Sequence, residues 1–205
     1  MIDILDVGSG NLKSLKNWIE KASIPCRYVD NPADIKSGLI VLPGVGSVGP
    51  YMSRFREKGF DKAVIGHIGG GGRVLGICLG FQILGGYSEE DGGVECLNIL
   101  DGHVERIQSC DSHNGWELIS LNKKKLNNQS FSSQYQLTRK QKIEGRVFYN
   151  HEYGFVNKDA DTFDLRISKE LDRYSGLIIK DKIIGIQFHP EKSQHSGHEL
   201  ISMIL

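Results

Sequence analysis

The sequence predicts an α/β domain with a mostly parallel central sheet, flanked by helices and extended by an antiparallel portion. Strand and helix signals alternate through the first half of the 205 residues, which is typical of a sheet covered by helices on both faces. Several strand signals are continuous apolar runs, as in strands that are buried on both faces. The second half carries mainly strand signals. Because no break in composition divides the chain, we expect one domain over residues 1–205.

The first half is predicted to contain four strands with helices between them. The strands are short apolar runs at Ile2–Val7, Arg27–Val29, Leu39–Leu42 and Arg73–Ile77. Apolar residues that recur every three or four positions predict helices over 12–22 and 51–68, and a further helix begins over 79–84. Asn31 followed by Pro32 is typical of a helix cap with proline in the first turn. Glycine-rich loops follow three of the strands, where parallel sheets carry functional groups.

The second half is predicted to be mainly β. Strand signals occur at Val147–Tyr149, Thr162–Ile167, Gly176–Ile179 and Ile183–Phe188. A final helix is predicted from about Gly197 to the C-terminus. Residues 120–145 are polar and show little periodicity, so we interpret them as a mobile insert or a hairpin excursion.

Composition excludes several classes of function. Lysine plus arginine number 25 and aspartate plus glutamate also number 25, so no net field favours nucleic acid or an anionic membrane as a partner. No apolar run approaches the ~20 residues that a membrane helix needs, and the N-terminus lacks the basic region of a signal peptide. We therefore expect a cytoplasmic protein. Its four cysteines are expected to be free thiols, with no metal-ligand spacing among them: Cys26, Cys78, Cys96 and Cys110.

The strongest local signal is the run Gly76-Ile77-Cys78-Leu79-Gly80. It places a cysteine between a buried strand and the start of a helix, with glycine two residues away on each side. This is the nucleophile-elbow pattern with sulfur in place of oxygen. A helix N-terminus favours the thiolate form. The alternative is a buried structural cysteine, which the glycine context disfavours.

A cysteine nucleophile needs a base, and the base needs an orienting group. His189 and Glu191 follow the strand signal at 183–188. Two positions apart on an extended segment, their side chains would point the same way. The loop Pro43–Gly46 offers unhindered backbone N–H groups for an oxyanion hole; taken alone, it is equally typical of a plain turn.

These motifs together resemble the class-I (triad) glutamine amidotransferases. The resemblance rests on Gly76-Ile77-Cys78-Leu79-Gly80-Phe81-Gln82, on the Pro43-Gly44-Val45-Gly46 loop, and on Gln187-Phe188-His189-Pro190-Glu191-Lys192-Ser193. Three further blocks are similar to the glutaminase subunits of imidazole glycerol phosphate synthases. They are Asp6-Val7-Gly8-Ser9-Gly10-Asn11-Leu12-Lys13-Ser14, His113-Asn114-Gly115-Trp116 and Phe148-Tyr149-Asn150-His151-Glu152-Tyr153. The blocks span nearly the whole chain.

The resemblance implies a flavodoxin-like α/β fold and a glutaminase that needs no cofactor and no metal. Cys78, His189 and Glu191 would be the catalytic triad. The implied oxyanion hole consists of backbone groups of Gly44, Val45, Gly46 and Leu79. The implied glutamine-binding residues are Gln82, Glu90, His151, Glu152 and Tyr153. Ammonia would pass to a (β/α)₈ cyclase partner in a heterodimer, which Asn11, Trp116 and Lys192 would face.

Several positions depart from the family pattern, and two of them keep alternatives open. Glu152 stands where the family usually has serine or threonine, and Glu117 stands where it usually has asparagine. One alternative is a paralogous glutaminase that supplies ammonia to a sugar amidotransferase in surface-polysaccharide synthesis. Another is a non-catalytic binding subunit that has lost glutaminase activity through Glu152.

Overall fold

A seven-stranded sheet forms the centre of the molecule. The computed structural model describes residues 1–108, 112–122 and 142–204. Its strands are β1 (Ile2–Leu5), β2 (Cys26–Val29), β3 (Leu39–Leu42), β4 (Arg73–Ile77), β5 (Tyr87–Ser88), β6 (Val94–Glu95), β7 (Gly102–Arg106), β8 (His113–Asn122), β9 (Lys142–His151), β10 (Tyr153–Asn157), β11 (Phe163–Arg166), β12 (Ser175–Lys180) and β13 (Ile183–Ile186). The central sheet has the order β11-β12-β13-β4-β3-β1-β2.

Five neighbouring strands of this sheet are parallel, from β2 through β1, β3 and β4 to β13. Strands β12 and β11 continue it as antiparallel neighbours. A four-stranded sheet, β10-β7-β5-β6, and an antiparallel pair, β8-β9, complete the β structure of the described residues. The prediction of a mostly parallel sheet with an added antiparallel portion is therefore confirmed.

The helices are α1 (Leu12–Lys21), α2 (Val48–Glu57), α3 (Phe60–Gly69), α4 (Leu79–Gln82) and α5 (Gln194–Ile204). Short 3-10 helices occur at Pro32–Asp34, Glu90–Gly92 and Pro190–Lys192. The first of these confirms the predicted cap, because the Asn31 side chain accepts a hydrogen bond from the Ala33 N–H. No helix of the described ranges is long and apolar enough to cross a membrane.

Side-chain alternation along the strands explains how the sheet is buried on both faces. On β3, Leu39 and Val41 belong to one apolar cluster, which includes Trp18 of α1. The intervening Ile40 and Leu42 belong to the other cluster, which includes residues of α2 and α3. Successive strand residues point to opposite faces, so an unbroken apolar run is what a strand between two helical layers requires.

Some predicted boundaries were wrong. The helix predicted over 51–68 is two helices, because Gly59 adopts a left-handed backbone conformation (φ +80°) between α2 and α3. The helix predicted from Leu79 to Leu84 is confined to the single turn of α4. The strand predicted at Val147–Tyr149 extends over all of β9, and the last helix begins three residues earlier than expected.

The polar segment 120–145, predicted to be a mobile insert or a hairpin excursion, is described by the structure only at its two ends. Residues 120–122 end β8 and residues 142–145 begin β9, and the two strands pair in antiparallel register from His113↔His151 to Asn122↔Lys142. Residues 123–141 lie outside the described residues. Of the four cysteines, Cys26, Cys78 and Cys96 are free thiols, and Cys110 lies outside the described ranges.

Candidate active site

Strand register brings the three predicted site loops to one end of the sheet. Strand β4 lies between β3 and β13, with Gly76 opposite Leu42 and Ile77 opposite Ile186. Because the strands are parallel, the residues that follow each of them leave the sheet at the same edge. Cys78 therefore lies between the Pro43 loop and the segment that leads to His189.

Cys78 occupies a strained backbone conformation, with φ +52° and ψ −113°. Such a conformation is costly for a residue other than glycine and is typical of sharp strand-to-helix turns. Its N–H donates to the Ile186 carbonyl at 2.7 Å, and its carbonyl accepts from the N–H groups of Phe81 and Gln82 at 3.0 Å each. The elbow predicted from the glycine pattern is therefore formed and is held on both sides.

The glycines around Cys78 are explained by close backbone packing. A Cβ added at Gly44 would lie 2.6 Å from the Gly80 nitrogen, and one added at Gly76 would lie 2.6 Å from the Gly80 carbonyl oxygen. Both distances are shorter than a carbon atom allows. The Pro43 loop therefore packs directly on the elbow, and this places its backbone beside Cys78.

His189 and Glu191 are joined by a hydrogen bond of 2.9 Å between Nδ1 and Oε1. Their side chains are 4% and 5% exposed, so the pair is shielded from water. Glu191 lies in the 3-10 helix Pro190–Lys192, so the predicted proximity is produced by a tight turn and not by an extended segment. The His189 N–H donates to the Phe148 carbonyl at 2.8 Å, and the Ser193 hydroxyl donates to the His189 carbonyl at 2.6 Å.

His189 is poised to carry positive charge beside the Cys78 sulfur. Burial disfavours the imidazolium, but hydrogen bonds with Cys78 and Glu191, together with the charges of both groups, outweigh burial and raise the pKa of His189 to about 10. An imidazolium favours a neighbouring thiolate. The dipole of α4 contributes little, because this helix is only four residues long.

The loop predicted as an oxyanion hole is anchored by a buried tyrosine. The Tyr51 hydroxyl donates to the Pro43 carbonyl at 2.6 Å. Val45, Gly46 and Leu79 line the same cavity as the Cys78 sulfur. Backbone N–H groups at the edge of such a cavity are suited to stabilise the oxyanion of an acyl-transfer intermediate.

A cavity of about 420 Å³ opens in front of Cys78, which is room for a small metabolite. All five residues that were predicted to bind substrate line this cavity together with Cys78 and His189: Gln82, Glu90, His151, Glu152 and Tyr153. The structure therefore brings the predicted triad and the predicted substrate residues into one site.

Two of the lining side chains are held by specific hydrogen bonds. Glu90 Oε2 accepts from the Val48 N–H at 3.2 Å, at the start of α2. Burial, followed by the charges of Asp91 and Glu152, raises the pKa of Glu90 against the lowering effect of that hydrogen bond. Gln82 Nε2 donates to the Tyr153 carbonyl at 2.7 Å.

His151 is linked to two departures from the family pattern. Its Nδ1 lies 2.7 Å from the Tyr153 carbonyl, and its Nε2 lies 3.1 Å from Nδ1 of His113. His113 Nε2 in turn lies 3.2 Å from Oε1 of Glu117. Glu152 lies at the cavity rim, where its carboxylate is half exposed and 3.8 Å from the guanidinium of Arg106. Glu152 therefore leaves the triad geometry intact.

The residues predicted to face a partner are at the surface near this cavity. Trp116 is 37% exposed and packs edge-on against Phe148, with ring centroids 5.5 Å apart. The ammonium of Lys192 lies over the same ring, 5.6 Å from its centroid. Asn11 is exposed and borders a small cavity that reaches Glu191.

No sequence motif predicts a role for Gln187, although this side chain contacts Cys78. Its Nε2 lies 3.7 Å from the Cys78 sulfur, and its Oε1 accepts from Gln82 Nε2 at 3.0 Å. The available signal was a polar residue at the end of a strand that is otherwise apolar, in the next register position after Ile186↔Ile77.

Comparison with known proteins agrees with this geometry. A family model described as "Glutamine amidotransferase class-I" matches residues 3–204. Two relatives are named "Imidazole glycerol phosphate synthase subunit HisH". The one from Syntrophotalea carbinolica is 32% identical, with 98% of this chain and 97% of the relative covered. The one from Geobacillus sp. strain WCH70 is 34% identical, with 98% and 94% covered.

A solved structure shares the fold at lower identity. "Structure of PurLQS from Thermotoga maritima" contains a chain that superposes with a TM-score of 0.75 at 19% identity, with 99% of this chain and 96% of that chain covered. The match of the family model extends over nearly all of the sequence and includes the elbow, the base and its carboxylate partner. The chain therefore belongs to the class-I glutamine amidotransferase family.

Proposed function

We propose that this chain is the glutaminase subunit of an imidazole glycerol phosphate synthase, in histidine biosynthesis. The observation that carries the proposal is that Cys78 and His189 line one cavity while Glu191 is hydrogen-bonded to Nδ1 of His189. The pathway follows from the relatives at 32% and 34% identity, both of which are named as subunits of that synthase.

In the proposed reaction, the Cys78 thiolate attacks the side-chain amide carbon of glutamine. The carbonyl oxygen becomes an oxyanion, which backbone N–H groups of Gly44–Gly46 and Leu79 stabilise; one such donor is typically worth ~10²–10³ in rate. The imidazolium of His189 donates its proton to the departing nitrogen, and ammonia leaves. A thioester between Cys78 and the glutamyl group remains.

Neutral His189 then takes a proton from water, and the resulting hydroxide attacks the thioester. The carbon–sulfur bond breaks, glutamate leaves, and the Cys78 thiolate and the His189 imidazolium are restored. Glu191 keeps the Nδ1 proton of His189 in place through both steps, so that Nε2 faces the sulfur and the substrate. Glutamine and water are consumed, and glutamate and ammonia are produced.

The far side of the cavity is suited to the amino-acid end of glutamine. Gln82 uses its Nε2 in hydrogen bonds to the Tyr153 carbonyl and to Gln187, so its Oε1 is the atom that would accept from the substrate ammonium. Glu90 supplies a carboxylate for the same ammonium. His151, Glu152 and Tyr153 form the opposite wall.

The partner would be a (β/α)₈ cyclase subunit that receives the ammonia and closes the imidazole ring of a ribonucleotide precursor, which yields imidazole glycerol phosphate. Trp116, Lys192 and Asn11 supply the proposed docking surface. The position of Trp116 supports this role. Its side chain is 37% exposed and belongs to neither apolar cluster of the fold, and a large exposed aromatic side chain of this kind is typical of an interface anchor.

The experiment that tests the function is a measurement of glutamate release from glutamine. The purified chain is assayed alone and with the cyclase subunit plus its ribonucleotide substrate. We expect strong stimulation only when both are present. Stimulation by a sugar amidotransferase system instead would favour the polysaccharide paralogue. If no condition gives glutamate while the chain remains folded, the non-catalytic alternative is correct, and Glu152→Ser is the first variant to test.

A further inference from the structure

Gln187 is a buried polar residue that the proposed reaction does not use. It directly follows β13, and its side chain is fully buried. Burial of an amide costs free energy unless its polar atoms are hydrogen-bonded. A methionine would fill a similar volume at this position without that cost, so the amide needs an explanation in terms of its two partners.

Strand register places Gln187 beside Cys78. Ile186 pairs with Ile77 in the parallel ladder between β13 and β4, so the next position in each strand brings Gln187 next to Cys78. The Gln187 N–H donates to the Gly176 carbonyl at 2.9 Å, and the Cys78 N–H donates to the Ile186 carbonyl at 2.7 Å. The backbones on both sides are therefore fixed, and the distance between the two side chains is set by the sheet.

A carbonyl group fixes which way the amide of Gln187 points. The Tyr153 carbonyl can only accept, so Gln82 must face it with Nε2, at 2.7 Å. The second hydrogen on Gln82 Nε2 goes to Gln187 Oε1 at 3.0 Å. Gln187 consequently presents Nε2 to the Cys78 sulfur, at 3.7 Å. The opposite orientation of either amide would place two donors or two acceptors against each other.

We propose that Gln187 is a positioning residue that donates an amide hydrogen bond to the Cys78 sulfur and holds it as a thiolate, aligned for attack. The inference rests on the proposed nucleophilic role of Cys78. His189 is the charged group that contacts the sulfur, and the cavity also contains Glu90, His151 and Glu152. Unlike these groups, the amide does not titrate, so its donation persists after His189 has given its proton to ammonia.

A purely structural role would be satisfied by the hydrogen bond between Gln187 and Gln82. The two roles predict different effects on the ionisation of the Cys78 thiol. If the amide only supports Gln82, its removal leaves the ionisation of Cys78 unchanged. If it holds the thiolate, its removal makes the thiolate harder to form and slows the chemical step more than it weakens glutamine binding.

The test is the pH dependence of Cys78 alkylation by iodoacetamide in the full chain, with mass spectrometry to assign the modified cysteine. Gln187→Met removes the donor at similar volume, and Gln187→Glu keeps the shape but can only accept when ionised. We expect the alkylation midpoint to rise by about one pH unit in Q187M, the size of one hydrogen bond to a charged group, and further in Q187E. Glutaminase kcat should fall about tenfold in Q187M, and KM for glutamine should change by a smaller factor than kcat.

Ile184→Val is the matched control, because Ile184 is a buried residue of the strand that precedes Gln187. The midpoint of Cys78 alkylation in this variant should equal that of the wild type. An unchanged midpoint in both Gln187 variants, with Cys78 reactive in the wild type, would overturn the inference. If Q187M does not fold by near-ultraviolet circular dichroism, the Q187E midpoint decides. A wild-type Cys78 no more reactive than Cys26 would instead overturn the nucleophilic role of Cys78.

Discussion

Gly80 lies directly against the backbone of Leu42: a Cβ at position 80 would be 1.9 Å from the Leu42 carbonyl oxygen. The contact joins the helix that follows Cys78 to the strand that leads into the proposed oxyanion loop. It explains why the second glycine of the elbow is needed although its backbone is helical. The relative position of Cys78 and the Pro43 loop depends on this contact.

We predict that Gly80→Ala displaces the elbow. Overpacking against backbone atoms typically costs about 1–3 kcal/mol of folding free energy. The loss of glutaminase activity should exceed what this loss of stability explains, because Cys78 moves relative to the oxyanion loop. Urea unfolding and glutamate release measure the two effects. Gly66→Ala in α3 is the matched control, since no atom outside its own stretch of helix lies within 4 Å of its added Cβ, and alanine there should be neutral or stabilising by up to about 1 kcal/mol. Full activity in G80A would contradict the packing argument.

Glu191→Gln is expected to lower kcat by on the order of 10²–10⁴, the range seen when the orienting carboxylate of a triad is neutralised. The variant should also shift the pH profile. The pKa of His189 is raised to about 10, so the imidazolium is present below that pH and is lost as pH rises through it. Removal of the Glu191 charge lowers this pKa, so the basic limb of kcat/KM should move to lower pH. A basic limb that stays in place would show that Glu191 does not act on His189.

Cys78→Ala is expected to abolish glutamine-dependent turnover by the complex and to leave ammonia-dependent synthesis by the cyclase subunit intact. The reason is that the variant removes the only atom that forms the thioester, while the cyclase receives ammonia from solution. Product formation with glutamine and with ammonium chloride measures the two activities. Loss of both would contradict the division of labour between the subunits.

A chain of hydrogen bonds joins Tyr153, His151, His113 and Glu117 beside the cavity. His151 must donate its Nδ1 proton to the Tyr153 carbonyl, so its Nε2 is an acceptor. Burial first, and then the charges of His113 and His189, lower the pKa of His151 to about 4, which keeps it neutral near pH 7. His113 therefore faces acceptors on both sides, His151 and the Glu117 carboxylate.

We predict that Glu117→Leu removes the carboxylate that holds the His113 ring in place beside His151. Nitrogen-15 NMR of the histidine rings should show the resonances of His113 and His151 shift in the variant. The segment that carries Tyr153 should then be held less firmly, and KM for glutamine should rise severalfold while kcat changes little. Leu118→Ala is the control, because this neighbouring side chain is 79% exposed and does not reach the cavity.

The proposed docking surface is testable by affinity. Trp116→Ala should weaken binding of the cyclase subunit by at least tenfold, because truncation of an aromatic interface anchor commonly costs about 2 kcal/mol of binding free energy. Glutaminase activity of the isolated chain and its thermal stability should change little. Ile65→Ala on α3 is the control, because this exposed apolar residue is 52% accessible and lies on another element. Equal affinities for wild type and W116A would place the interface elsewhere.

The site was largely predictable because its parts are local signals. The glycines beside Cys78, the spacing of His189 and Glu191, and the glycine loop after β3 each reflect a requirement of one short segment. The exposed position of Trp116 was not predictable, since the same residue in a strand is equally typical of a core. The sequence predicts one helix over 51–68 where the structure has two, because Gly59 alone does not distinguish a kink from a break.

By itself the sequence determined the class of fold, the family and the three residues of the proposed triad, because apolar periodicity and glycine placement are dictated by backbone geometry within single elements. Only the tertiary structure decided which buried side chains meet. The parallel register of β4 and β13 places Gln187 on the sulfur of Cys78, and the pairing of β8 with β9 places His113 on His151. Such contacts join residues about 38 and 109 positions apart, and register between distant strands is set by packing of the whole sheet.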